Sequence, residues 1–561
     1  MNPAKDGKAK MWGSFRPMLS PFALLLLLPA YKLILDLHFT PSQVPPAATA
    51  ASHQPPEKQP SAGEGLAHFG VLPSHSFIRL LATPLKRQLP QRSFYFKWIK
   101  SDLSYWEQQG GITQEMLERG SRTCCPMRFQ IVGGRLFVQH RDPGKEGFYP
   151  ASRGREWATA QARIPYAILA LMELLQTFPG MVPDVDALFF PGDFPVFHKP
   201  PRNSSVAPAP PAFGYNSAPG FSDIPFPDYS FYGHEVHILD DDQGRPLWGW
   251  DNQLDFLVAK QQRPLAERLP QIVWRGRTDG QRYQLRRDFI ACPRVLNSSG
   301  DPAAAQLFNV HPNQGSLDLC SICTFRFQAY LEGKAWSTNL KQKLACGSVV
   351  LAPKLEFYEF WTRGLETGRH HLQVTPGAGM CHDVATKVQA LNAYLDQAQP
   401  RPNATLLSSN KQDLAMAAQT RRLLEQRTPN LEGLRADQQH QHDEEQHHQQ
   451  EEQQQHQYPW GKSLPPQQIA DEGRRFLQDH LRMEDVRQYL LDVLREYAAL
   501  QQFRPQPPRG AVCYTGKGNG PLTGRRLLQL FGIPYREAGD DVAQRYPWLA
   551  DWDPGCPEES Q

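Results

Sequence analysis

The stretch that most constrains this chain is 330–374, YLEGKAWSTNLKQKLACGSVVLAPKLEFYEFWTRGLETGRHHLQV. Its spacing predicts turn, helix, strand, helix, turn. Gly333 opens a turn. Ser337 or Thr338 caps a helix that runs through Leu340, Leu344 and Ala345, and Gly347 stops it. Ser348–Leu351 is a short apolar run with the pattern of a buried strand. Phe357, Phe360 and Trp361 then recur at helical spacing. A polar turn feeding a helix N-terminus, with Lys334, Lys341 and Lys343 close by, is a seat for a diphosphate. An ordinary α/β unit with a solvated lysine face has the same spacing.

The rest of the chain divides around this stretch. With 561 residues there is room for two or three domains, and the 60 basic against 57 acidic residues leave a net charge of only +3. That balance removes the electrostatic case for a nucleic-acid partner. The N-terminus has Lys5, Lys8, Lys10 and Arg16 ahead of an apolar run from Met18 that continues, across Lys32 and Asp36, to Phe39. This predicts an uncleaved type II signal-anchor over 18–39 behind a cytosolic tail, 1–17. A cleaved signal peptide is the alternative. Residues 40–76, rich in Pro, Ala and Gln, read as a disordered stem. Sequons at Asn203, Asn297 and Asn403 suit a luminal body. Nine cysteines permit disulfides and leave one over; Cys320-Ser-Ile-Cys323 reads as a local bridge or free thiols, and Cys124-Cys125 likewise. No second pair stands at zinc spacing.

Within the body, Phe129–Gln139 alternates around Gly133-Gly134 and predicts a hairpin. Ala158–Phe178 predicts a helix with Ile164, Ile168, Leu171, Met172 and Leu175 on one face. Val185–Phe190 predicts a strand that ends at Gly192-Asp193. A carboxylate just past a buried strand sits where α/β folds place ligands, although Asp193 could equally cap the turn before Pro195. Residues 198–220, rich in Pro, Ala and Ser, read as a surface excursion. Asp240-Asp241-Asp242 has the residues of a metal-binding DxD but lacks a flanking strand, and reads as a solvated loop. Gln271–Trp274 predicts a strand broken at Arg275-Gly276, with Arg282, Arg286 and Arg287 on a following helix. Strand, glycine turn and then cations is an arrangement for an anionic nucleotide. Arg286 and Arg287 read as surface ion pairs; Arg275, interrupting a strand, does not. Residues 400–466 carry a Gln/His/Glu tract and read as a disordered insertion between helices at Val384–Leu395 and within Ile469–Leu500. Val486, Leu490, Val493, Leu494 and Tyr497 mark the apolar face of the latter. GKGNG at Gly516–Gly520 lacks phosphate-loop spacing.

These motifs, in this order, resemble glycosyltransferase family 90, which includes fungal capsule-associated enzymes, animal Rumi/KDEL-type O-glucosyltransferases and a plant and algal branch. The likeness to the last is strongest: Tyr330, Glu332, Gly333, Ala335, Trp336, Ser337, Ala345, Cys346, His370 and Val374 match its central motif, and Phe178-Pro179-Gly180, Pro183-Asp184 and Asp193 match a second. The resemblance implies an α/β, GT-B-like architecture, with two Rossmann-like halves and a cleft between them, over 77–399 and 467–504, followed by a C-terminal extension, 505–561. It implies a UDP-sugar donor, glucose or xylose, and a protein or glycan hydroxyl as acceptor, reacting with inversion and without a required metal. The diphosphate would lie on Gly333, Lys334, Ala335, Trp336, Ser337, Thr338 and Asn339, with Arg275, Gly276 and Arg282 from the other segment. Asp142 is the nearest match to the family's base, with Glu146 and Glu156 as alternatives, and Asp193 is the second catalytic candidate. Arg163-Ile164 stands where plant-branch members often carry Arg-Asp, and His371 where Tyr is usual. That departure keeps open a second class of function, a catalytically inactive UDP-sugar- or glycan-binding protein of the secretory pathway. Anchor, stem and a terminus PEESQ that does not resemble KDEL predict the Golgi or endoplasmic reticulum membrane.

Overall fold

The computed structural model describes residues 92–140, 155–200, 206–232, 239–240, 245–247, 249–260, 263–279, 283–312, 319–397, 456–507, 512–514 and 554–556. The expected anchor and stem, Asp142, Glu146, Arg282 and the tract up to 455 lie outside the described residues. No helix among the described residues is long and apolar enough to cross a membrane.

Two helices, α1 (Phe96–Gln108) and α2 (Gln114–Thr123), precede a hairpin of β1 (Met127–Val132) and β2 (Arg135–His140). The hairpin is as the alternation predicts: Gly133 and Gly134 sit at φ 57° and 75°, both in the left-handed region that a two-residue loop of this hand requires. Then come α3 (Arg155–Thr177), β3 (Val185–Phe190), β4 (Ala212–Gly214), β5 (Ile224–Pro225), a short antiparallel pair β6 (Leu239–Asp240) and β7 (Arg245–Pro246), and α4 (Trp250–Lys260). The second half holds β8 (Leu269–Gly276), α5 (Gln284–Ile290), α6 (Cys292–Ser298), α7 (Pro302–Ala305), β9 (Phe308–Pro312), α8 (Leu319–Ile322), β10 (Phe325–Ala329), α9 (Leu340–Ala345), β11 (Val349–Ala352), β12 (Leu372–Gln373) and α10 (Met380–Gln397). The hairpin β13 (His456–Tyr458) and β14 (Gly461–Ser463), helices α11 (Pro466–His480) and α12 (Met483–Leu500), and β15 (Val512–Cys513) complete the order.

The first sheet runs β15-β2-β1-β3-β4-β5 and is mixed: β3, β4 and β5 are parallel, and the hairpin and β15 are antiparallel to their neighbours. This half therefore departs from a purely parallel Rossmann pattern. The second sheet runs β9-β8-β10-β11-β12 and is parallel throughout. Counted along its own strands, that is the doubly wound order 2-1-3-4-5. Alternation along its strands splits their side chains between two cores. Phe327, Val349 and Leu351 pack with α10; Val350 and Ala352 pack with the aromatic core of the first half. Helix α12 lies in that same aromatic core through Val486, Leu490, Val493, Leu494 and Tyr497, and its Tyr489 and Tyr497 hydroxyls donate to the carbonyls of Pro225 and Pro211.

Several expectations from the sequence need correction. Arg275 does not interrupt its strand: it lies inside β8, paired with His311, because a strand with polar ends continues wherever a neighbour supplies the ladder. Phe357, Phe360 and Trp361 are not on a helix; only Thr362–Gly364 make a 3-10 turn. Phe360 and Trp361 are buried all the same, so helical spacing here reflected packing rather than conformation. The middle of the expected surface excursion, 211–218, is core, since Ala212, Phe213 and Gly214 form a buried strand whose small residues mimic a linker's composition, while Val206 and Gly220 at its ends are exposed. The segment read as insertion ends in the β13–β14 hairpin, where Trp460 is buried and donates to Ser463 Oγ.

Cys323 does not bridge to Cys320. It pairs with Cys346, while Cys292 pairs with Cys381, Cys513 with Cys556 and Cys124 with Cys125. The Cys323–Cys346 bridge spans a sequence separation of 23 and joins the chain just before β10 to the end of α9. Replacing both cysteines by serine should lower unfolding free energy by about 3 kcal/mol through the freed unfolded chain, as read in a urea titration.

Candidate active site

The two sheets meet at a cavity of about 1130 Å³. One wall comes from the first half: Phe194, Pro195 and Val196 after β3, with Phe221 before β5. The other comes from the second half: Glu332, Gly333 and Lys334 after β10, and Pro353–Phe357 after β11. All of these segments except the one before β5 leave the carboxyl ends of strands, where α/β folds hold ligands because loops and exposed N–H groups gather there.

Asp193 stands immediately before the first wall. Its Oδ1 lies 2.5 Å from Nη1 of Arg163, and its carbonyl accepts Asn216 Nδ2 at 2.9 Å. The carboxylate therefore faces a guanidinium instead of capping the turn before Pro195. Arg163 is itself buried, comes from α3, and lies 4.4 Å above the Tyr229 ring, while the Tyr215 hydroxyl donates to its carbonyl. A buried cation this close fixes the orientation of the Asp193 carboxylate. Segment 196–197 is stapled by Asp223, whose two oxygens accept the N–H groups of Val196 and Phe197 at 2.9 Å each.

The 331–339 turn is held by the Tyr330 hydroxyl and by a bond within its own backbone. Ser337 N donates to the Tyr330 hydroxyl at 2.9 Å, and Gly333 N donates to the Ala335 carbonyl at 2.8 Å. Glu332 clamps the turn to the next loop by accepting the N–H groups of Phe357 and Glu356, both at 3.1 Å. Burial pushes the Glu332 carboxyl up to about 7, against the pull of those two N–H groups. Trp336 is buried near Tyr215, and its indole N–H has no acceptor among the described residues.

Three expectations about the turn change on contact with the structure. Neither Ser337 nor Thr338 caps α9: Asn339 occupies the N-cap without a side-chain bond, and Ser337 Oγ donates to Asn339 Oδ1 at 3.2 Å instead. Helix α9 has only six residues, too few for its N-terminus to act as an anion site by itself. Lys341 faces away, into a buried cluster with Asp228, Ser230 and the Phe231 ring.

Arg286, read from sequence as a surface residue, carries the cationic side. Its guanidinium donates to the carbonyls of Leu331 and Glu332 after β10 and of Arg277 after β8. It lies against the Tyr283 and Trp274 rings, and a Cβ built on Gly333 would come within 2.8 Å of its Nη2. A side chain at 333 would displace the end of Arg286 from this position. Strands β8 and β10 are the neighbours between which the sheet's winding reverses, so Arg286 spans the crevice where doubly wound sheets take nucleotides. Arg275 turns elsewhere: its guanidinium donates to the carbonyl and side-chain oxygen of Asn309, both at 2.6 Å. Gly276 closes β8 beside the Trp274 ring. Gly333 and Lys334 are therefore brought to the cleft with Asp193 nearby, and Ala335, Trp336, Ser337, Thr338 and Asn339 complete the same turn; Arg275 is not on the turn, and Asp142 and Arg282 lie outside the described residues. Sequence reasoning missed Arg286 because only folding shows which carbonyls a guanidinium reaches. Among the described residues no group of three or more His, Cys, Asp or Glu could hold a metal ion.

The family model for glycosyl transferase family 90 matches residues 88–405 and 443–518. The chain belongs to glycosyl transferase family 90. No curated protein matches the sequence. As a member of this transferase family it works on a sugar donor and an acceptor, and the gap in the match, 406–442, lies mostly ahead of the Gln/His/Glu tract, inside the segment read as an insertion. The match includes Arg163, Asp193, Arg286 and the whole 331–339 turn.

Proposed function

We propose that this family 90 member transfers glucose or xylose from a UDP-sugar to a hydroxyl of a protein or glycan acceptor in the secretory pathway, with inversion. Its two α/β halves work as a GT-B-like pair. The donor's diphosphate binds at the Gly333 turn against Arg286, and the acceptor enters from the Asp193 wall. The acceptor oxygen attacks the anomeric carbon, its proton passes to the Asp193 carboxylate, and the bond to the UDP oxygen breaks. The negative charge that collects on UDP is met by the guanidinium. Protein cations do this work, so no divalent metal is needed. The enzyme is held in the Golgi or endoplasmic reticulum membrane by residues 18–39, with the body luminal.

The observation that carries this reading is the placement of Arg286. It bridges the carbonyls on either side of the winding reversal beside Gly333, which lines the cavity, while Phe194, the residue after Asp193, lines the opposite wall. A donor screen of the full chain tests it by scoring UDP release from each UDP-sugar. Arg286→Ala should weaken UDP binding at least about tenfold, the scale of one charge-assisted contact to phosphate. Normal UDP affinity in that variant, with the fold intact by circular dichroism, would place the donor elsewhere.

A further inference from the structure

The cavity wall that follows Asp193 is an aromatic lip with a nearly closed main chain. Alternation along Val196, Phe197 and His198 turns Phe197 into the core and leaves Val196 and His198 exposed. Across from them, Phe221 pairs with His198 in a single antiparallel bridge. The flanking hydrogen bonds run from Lys199 N to the Gly220 carbonyl at 2.9 Å and from Ser222 N to the Phe197 carbonyl at 2.7 Å. His198 and Phe221 are therefore a non-hydrogen-bonded pair, the kind that brings side chains closest, and their rings lie 4.1 Å apart. Both rings line the cavity, with Phe194, Val196 and Pro219 beside them.

Size, charge and free backbone together limit what can lie on this lip. A volume of about 1130 Å³ exceeds the roughly 300–1,000 Å³ that serves one drug-sized ligand, so the cavity has room beyond a nucleotide-sugar. Its charged lining residues, Glu332, Lys334, Lys354 and Glu356, all stand on the opposite wall; among the described residues the lip contributes no Asp, Glu, Lys or Arg to the lining. Asp223 holds the N–H groups of Val196 and Phe197, and carbonyls within the lip hold those of Lys199, Phe221 and Ser222. Pro195 and Pro219 have no N–H to give. A polypeptide that docks by adding a strand needs such main-chain donors. A sugar ring does not. One face of a pyranose is a patch of C–H groups that lies flat on an aromatic ring, while its rim hydroxyls reach polar side chains opposite.

We propose that this lip is the acceptor subsite, with the His198–Phe221 pair as the platform for a neutral pyranose, so that the acceptor is a glycan and not a protein side chain. This rests on the donor and base reading above. The hydroxyl that the stacked sugar presents forms the new glycosidic bond, its proton passes to Asp193, and the electron pair of the broken bond leaves with UDP.

The test is UDP release by the full chain from UDP-glucose and from UDP-xylose, with two sets of acceptors. One set is the methyl β-pyranosides of glucose, galactose, mannose and xylose; the other is peptides containing serine and threonine. At least one pyranoside should accelerate release, and the peptides should not. Phe221→Ala should raise the KM for that pyranoside about fivefold, the scale of one ring contact, while UDP affinity stays within about twofold. Phe221→Trp, which keeps a ring, should restore the KM. His198→Ala, at an exposed position, should raise it as well without lowering the thermal midpoint. Acceleration by the peptides and not by the pyranosides overturns the inference. So does a pyranoside KM that both alanine variants leave unchanged, or a wild type that binds UDP and responds to no acceptor of either set. Parallel loss of UDP affinity and thermal midpoint in both alanine variants also overturns it, by making the pair structural. A wild type that binds no UDP overturns the donor-site reading instead.

Discussion

Asp193→Asn should reduce turnover about 10³-fold while UDP affinity stays within about twofold, the signature of a lost general base. Asparagine has the shape of the carboxylate, so the 2.9 Å bond from Asn216 to the backbone carbonyl persists and the loop holds its course. What disappears is the proton acceptor. Arg163 holds the aspartate for that role: its buried guanidinium lies 2.5 Å from Oδ1 and leaves the second oxygen for the acceptor proton. A base that is weak in solution still serves when proton loss coincides with bond formation to the anomeric carbon. The measurement is steady-state UDP release against acceptor concentration, with a parallel UDP titration. Normal turnover in the variant would move the base to the loop that carries Asp142.

Asp228→Asn should be the most destabilising single change in the cleft floor, at about 3–5 kcal/mol. Lys341 and Asp228 are both fully buried, 3.7 Å apart, with the Ser230 N–H donating to Asp228 Oδ1 at 2.6 Å. Although burial pushes the Asp228 carboxyl up, Lys341 and its hydrogen bonds hold it below the usual range. Glu359 is driven the other way, by burial and then by the Asp228 charge, and is the protonated member. The cluster thus holds one lysine and one ionised carboxylate, and removing the latter strands a cation among Phe231 and Trp250. Since Lys341 belongs to α9 and Asp228 to the turn after β5, the two halves of the molecule lose a shared fastening. A urea titration reads the loss. The double variant Asp228→Leu/Lys341→Met should recover much of it, because the penalty lies in the unpaired charge and not in the missing contact. A loss below about 1 kcal/mol in Asp228→Asn would show that water reaches the lysine.

Local patterns carried a large part of the architecture. The Gly133-Gly134 hairpin, the α3 face, β3 and the apolar stripe of α12 are set by short-range rules, namely period, turn chemistry and positive φ, and these appear where the sequence places them. The failures have a common cause. Arg275 inside β8, the buried strand at Ala212–Gly214 and the irregular but buried Phe360 and Trp361 are all decided by what lies across from them, which no window of sequence contains.

The site divides the same way. By itself the sequence determined the family, the 331–339 turn and a carboxylate at the end of a buried strand, because each is a contiguous motif with a local conformation. Tertiary structure alone decided which cations serve that turn. Arg286, from α5, wraps it, Arg275 goes to Asn309, and Lys341 is neutralised by Asp228. Charge acts through space over several ångströms with no regard for chain order, so only the folded arrangement fixes the partner of each buried ion.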